Sequence, residues 1–192
     1  MDVYHFPLFL VLPIEQIQAS VDVDKAFKLH SKPDAANVIY LNMAGAVVTN
    51  TIWNGTFPTL YMLPYSQDGD YNTFNQSELD AIAETWKRIA EDFAPFDVDV
   101  TTEKPVSFGP KVGHILVTRK TDLYGNPIYN CSCGGVAYVN VWGGSNYPYY
   151  QPALVFVDGV GTGPHNIVEA ASHEMGHNLS LSHDGTSSTG YY

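Results

Sequence analysis

The chain is short of positive charge. Nine Lys and Arg stand against twenty Asp and Glu, a formal net charge of -11 over 192 residues. Such a surface repels phosphate backbones and anionic headgroups, which excludes nucleic acid and membrane surfaces as partners. Cysteine is scarce as well: Cys131 and Cys133 are the two, one residue apart. A disulfide across that spacing is expected to be strained, and a zinc site of their own would need a second pair. They read as structural or incidental: free thiols, a loose metal pair, or partners for cysteines elsewhere. The apolar run FPLFLVLP (6–13) is too short to span a bilayer. No Gly-rich phosphate loop with a following Lys occurs, and no serine nucleophile elbow, which weighs against phosphate-loop and serine-hydrolase chemistry.

What is present is a globular composition, 45% hydrophobic, on a length that suits one domain. FPLFLVLP followed by Ala19-Ser20 has the outline of a signal peptide, but Asp2 is acidic, no basic segment precedes the run, and two prolines interrupt it. Residues 1–36 therefore read as a leader, a signal or pro-segment remnant, and 37–192 as the folded domain. NVIYLNMAGAVV (37–48) predicts a buried strand. SELDAIAETWKRIAEDF (77–93) carries apolar residues on one helical face, with Ser77 and Asp80 as a capping box and Pro95 as its stop. FDVDV (96–100), HILVT (114–118), GVAYVNV (135–141) and ALVFV (153–157) predict strands. IVEAASHEMGHNLS (167–180) predicts a second helix, with Pro164 near its first turn. This order is α/β or α+β, built on one mixed sheet.

The chemistry sits in HEMGHNLSLSHDG (173–185). His173 and His177, four apart on a helix, point the same way one turn apart and can bind one metal ion. Glu174, offset by one residue, is placed to take a proton from a metal-bound water rather than to bind the metal. Zinc brings the pKa of such a water towards about 7, and Glu174 then acts as general base. His183 supplies a third ligand, provided that the chain turns back after the helix. Glycine is the usual residue for such a turn; here Ser180 occupies the position, and a non-glycine residue at φ > 0 costs about 1–2 kcal/mol. His5, His30, His114 and His165 lack ligand spacing and read as surface or packed histidines. Asp68-Gly-Asp-Tyr-Asn72 opens like a calcium loop but has Thr73 and Leu79 where the loop needs Gly and Glu, so calcium is weakly supported beside Zn2+.

HEMGHNLSLSHDG resembles the extended zinc motif of the metzincin metallopeptidases, HExxHxxGxxH. HNL and the Asp184 after the third ligand resemble its adamalysin, or reprolysin-like, branch. IYLNMAG, WKRIAEDFAPFDVDVTTE and CGGVAYVNVW are similar to secreted bacterial metzincins, so the resemblance runs from about residue 25 to 192. It implies a five-stranded mixed, twisted sheet with a backing helix and an active-site helix ending near the third histidine, the family's N-terminal subdomain. It implies a fourth, antiparallel edge strand over the cleft, here Gly135 to Val141, onto which an extended substrate adds as a strand, with Gly135 and Tyr138 lining the cleft. It also implies secretion, a protein or peptide substrate, His173, His177 and His183 as zinc ligands, and Glu174 as base. No methionine follows His183, so the family's Met-turn and most of its C-terminal subdomain are expected to be missing. The function expected is a zinc-dependent endopeptidase. The alternatives are a non-catalytic zinc- or peptide-binding module of the same fold and a zinc amidase acting on a non-protein amide.

Overall fold

A computed structural model describes residues 22–184. In chain order the elements are α1 (Val23–Ala26), β1 (Asn37–Asn42), β2 (Ala46–Thr49), β3 (Thr59–Met62), α2 (Gln76–Asp92), β4 (Val98–Thr101), β5 (Val112–Thr118), β6 (Gly135–Val136), β7 (Ala153–Phe156), α3 (Val157–Val160) and α4 (Pro164–Asn178). Five strands form one sheet in the order β4-β1-β5-β7-β6. The first four are parallel, and β6 closes the edge antiparallel to β7. This is the mixed α/β sheet expected, with the antiparallel strand at the expected edge. No helix among the described residues is long and apolar enough to cross a membrane.

Side chains alternate across a strand, so each strand feeds two cores. Ile39, Leu41, Val100, Ile115, Val117, Ala153 and Val155 pack with residues of α2 and α4. Leu116, Leu154 and Phe156 point the other way and pack with Trp53, Leu60 and Met62, under the β2–β3 hairpin. The sheet is thus covered on both faces, which explains its nearly continuous apolar strands.

Several local expectations are corrected. The run 37–48 is not one strand: it breaks at Gly45, φ +75°, where a Cβ would lie 2.6 Å from the Met62 carbonyl oxygen. The capping box of α2 is Asn75 with Glu78, not Ser77 with Asp80. Asn75 accepts from the Glu78 N–H at 3.1 Å, and Glu78 accepts from the Asn75 N–H at 2.9 Å. Ser77 instead donates to Gln67. The helix expected at 167–180 spans Pro164–Asn178, with Pro164 in its first turn as expected. Cys131 and Cys133 form a disulfide with each other.

Most of the leader expected at 1–36 lies outside the described residues. From Ala26 onward the chain packs into the folded unit: Ala26 is fully buried in the core, where α1 meets α2. Asp99, 3% exposed, accepts from the Ser31 and Lys32 N–H groups at 2.9 Å each and contacts His30 Nδ1 at 2.6 Å. His30 Nε2 meets Glu103 at 2.9 Å. These contacts cover the outer edge of β4, where unpaired backbone groups would otherwise face solvent. The packed unit therefore starts before residue 37.

Candidate active site

α4 runs beneath the sheet and carries His173, Glu174 and His177 towards the β6 edge. It ends at Asn178, and the next residues reverse the chain. Ser180 adopts φ +83°. Its N–H bonds to the His177 carbonyl at 3.0 Å, and the Leu181 N–H to the Gly176 carbonyl at 2.9 Å. This pair of bonds is a Schellman cap, with Ser180 in the position that glycine usually fills. The Ser180 hydroxyl donates to Asn140 Oδ1 at 2.7 Å, which offsets part of the left-handed cost. The serine at this position therefore takes the turn that brings His183 back. Ser180→Val, branched at Cβ and unable to donate, is expected to cost about 1–2 kcal/mol. Calorimetry should show a midpoint lower by several degrees, at about 2–4 °C per kcal/mol for a chain of this size. Metal should also be lost more readily to a chelator, whereas Ser180→Gly should retain it.

The three histidines converge. His183 Nε2 lies 2.9 Å from His173 Nε2 and 3.1 Å from His177 Nε2. They are the one group of three or more metal-capable side chains among the described residues, with ligand atoms within 4.8 Å of one another. His177 Nδ1 donates to the Leu181 carbonyl at 2.7 Å, which leaves the Nε2 lone pair facing its neighbours. Three imidazole nitrogens so placed, with no acid among them, fit a tetrahedral nitrogen-ligated metal with a fourth position open. His173 is held below its ordinary pKa, by burial first and then by the two other imidazoles.

Glu174 is 6% exposed and has no hydrogen-bond partner among the described residues. Burial pushes its carboxyl up to about 7. It lines a cleft of about 290 Å3 together with Gly135, Val136, Ala137, Val139, His177 and His183. A buried carboxylate without a partner, beside convergent imidazoles and open to a cleft, has the makings of a general base.

The edge strand is shorter than expected. Only Gly135 and Val136 pair with β7. The chain then leaves the sheet and crosses the end of α4: the Asn140 N–H bonds to the His177 carbonyl at 2.9 Å, and the Trp142 N–H to the Asn178 carbonyl at 3.0 Å. Asn140, at φ +60°, cannot continue a strand. Gly135 lines the cleft. Tyr138 is not among the cleft residues; its ring packs on Trp53 and Tyr150, at 5.4 and 5.1 Å. Ala137 and Val139, on the alternate side of the backbone, line the cleft instead.

Gly135 has a further role that the sequence pattern did not reveal. A Cβ there would lie 2.6 Å from Glu174 Oε1 and 2.8 Å from the Leu154 carbonyl oxygen. The missing side chain is the space that Glu174 occupies. Asn178 was missed as well. It is fully buried, donates to the Tyr138 carbonyl at 3.0 Å and accepts from the Tyr147 hydroxyl at 2.7 Å. It thereby fixes the 138–142 segment against the helix end. A polar residue beside the second ligand was the available signal. Asp68 and Asp70, the start of the calcium-like loop, accept from Ser66, Asp70 N–H, Asn75, Asn72 and Thr73 and so close their own turn.

Residues 60–184, well over half of the chain, match the family described as metallo-peptidase family M12B, reprolysin-like. No curated protein and no solved structure matches the chain.

Proposed function

The chain belongs to the reprolysin-like M12B metallopeptidases, and from that premise we propose that it is a zinc-dependent endopeptidase with Glu174 as general base. The observation that carries this reading is the unpartnered, buried Glu174 carboxylate beside three convergent imidazoles. Zinc held by His173, His177 and His183 would polarise the scissile carbonyl and make a nearby water more acidic. Glu174 takes the proton from the attacking water and passes it to the leaving amine. The free side of β6 offers backbone groups to an extended substrate, with Gly135, Ala137 and Val139 as the contact surface. A protein or peptide substrate follows from the family. Secretion is part of the same proposal, supported by the Cys131–Cys133 disulfide, since such bonds persist in oxidising compartments.

The test is incubation of the zinc-loaded chain with an unfolded protein, scored by new N-termini. Cleavage that stops on chelation is expected. Bound zinc and bound peptide without cleavage would overturn the peptidase reading in favour of a non-catalytic binding module.

A second expectation concerns Gly135→Ala. The new methyl group meets both Glu174 and a backbone carbonyl that cannot yield, so the carboxylate must move. A displacement near 1 Å costs on the order of 10²-fold in rate. The expected result is that fall in kcat/KM on a fluorogenic peptide, with metal content unchanged. Full activity would show that the position of Glu174 is not critical.

A further inference from the structure

The sheet face away from α2 and α4 holds a cavity of about 440 Å3, within the range of small-molecule sites. Its wall includes Tyr40, Asn42, Lys104, Phe108, His114 and Gln151, and it shares no residue with the catalytic cleft. Three of these side chains carry donors without a partner among the described residues. Asn42 Oδ1 accepts from the Ala44 N–H at 2.9 Å, so its Nδ2 is the atom 3.2 Å from His114 Nε2 and donates to it. The proton of the neutral His114 ring is therefore on Nδ1, which has no acceptor. The Tyr40 hydroxyl and the Lys104 ammonium have none either. Tyr40 is 4% exposed and His114 8%. Neither His114 Nδ1 nor the Tyr40 hydroxyl is sealed from solvent: both are open to the cavity and free to donate to a ligand seated in it.

The charge of the wall is also unusual for this chain. Twenty Asp and Glu are present in the sequence, and none lines the cavity. Lys104 is its one charged residue. Beside it the rings of Tyr40, His114 and Phe108 form a triangular cluster, with centroids 5.3 Å (Tyr40–His114), 4.9 Å (Phe108–His114) and 6.2 Å (Tyr40–Phe108) apart. One cation and two neutral donors suit a single negative charge, and the cluster of rings suits an apolar body.

We propose that this cavity binds a carboxylate attached to an apolar or aromatic group. Lys104, His114 Nδ1 and the Tyr40 hydroxyl donate to the carboxylate, and the cluster of rings receives the body. The ligand is either a free small acid or the C-terminal carboxylate of a peptide.

The experiment is calorimetric titration of the zinc-loaded protein with 3-phenylpropanoate and with the corresponding amide, repeated in Lys104→Met and Tyr40→Phe. Lys104 is exposed and Tyr40→Phe keeps the ring, so both variants should fold. The acid is expected to bind, the amide to fail, and each variant to weaken the acid about tenfold. Absence of acid binding at millimolar concentration, or equal binding of acid and amide, would overturn the site. So would unchanged binding in both variants, which would place the acid at the histidine cluster. Short peptides ending in Phe, with free or amidated C-termini, separate the two sources. Displacement by the free terminus alone assigns a peptide ligand, and no displacement assigns a free acid.

Discussion

Glu174→Ala is expected to lose roughly 10²–10⁴-fold in kcat/KM while it retains zinc, because a positioned general base contributes about that much. The structure gives this variant an unusual second signature. Glu174 has no hydrogen-bond partner among the described residues, so its removal strands no donor. Its burial is unfavourable to the charged form, the cause of its raised pKa. Taking it away should therefore leave the thermal midpoint unchanged or raise it, although a buried side chain is lost. Glu174→Gln keeps the shape and removes the basicity, and should be as inactive as the alanine variant. Metal content, thermal midpoint and peptide turnover measured on one preparation check all three. Undiminished turnover in either variant would remove Glu174 from the chemistry.

Much of this site could be read from the sequence because its spacing is local. Four residues along a helix bring His173 and His177 to one side, whatever the rest of the fold does. His183 was legible only as a requirement for a turn. That turn is met by Ser180 at positive φ, which the residue type alone would have argued against. The strands of the parallel sheet were legible as apolar runs, because both faces of the sheet are buried. The edge strand was not. Its sequence remains β-like through Val141, but after Val136 the backbone is claimed by the end of α4 rather than by β7. The role of Gly135 as space for Glu174 depends on an approach between residues 39 apart in sequence, which no periodicity reports. Nor could the capping residue of α2 be settled by pattern. Asn75 and Ser77 both suit an N-cap, and the buried Glu78, bonded to Ser66 and to the Gln67 N–H, decides between them.

Of the two readings open for His114, surface or packed, the structure shows the packed one, and its burial makes acid stability the second large expected effect. Burial, and then the charge of Lys104, pull its pKa down to about 3 from an ordinary 6.5. No carboxylate lines the cavity beside it to offset Lys104. In the unfolded chain the ring takes up a proton as pH falls through about 6.5, whereas in the folded protein it stays neutral until about 3. The unfolded state thus binds more protons throughout this window, and stability falls as the solution becomes more acid. Each pH unit is worth about 1.4 kcal/mol, so descent to about pH 4.5 costs on the order of 2–3 kcal/mol, or roughly 5–10 °C. His30 acts in the opposite sense. Burial works against its charge, but the hydrogen bonds to Asp99 and Glu103 prevail and raise its pKa. Its contribution is complete below the ordinary value and is lost as pH rises through the folded one. Carboxylates also titrate on the acid side, so the variant His114→Phe is the control: it keeps a ring against Tyr40 and Phe108 and has nothing to protonate. Its thermal midpoint should fall less steeply than that of the parent between about pH 6.5 and 4.5, with the two slopes alike above about pH 7. Parallel curves across the acid window would mean that His114 takes its proton in the folded protein, through an opening of the cavity towards solvent.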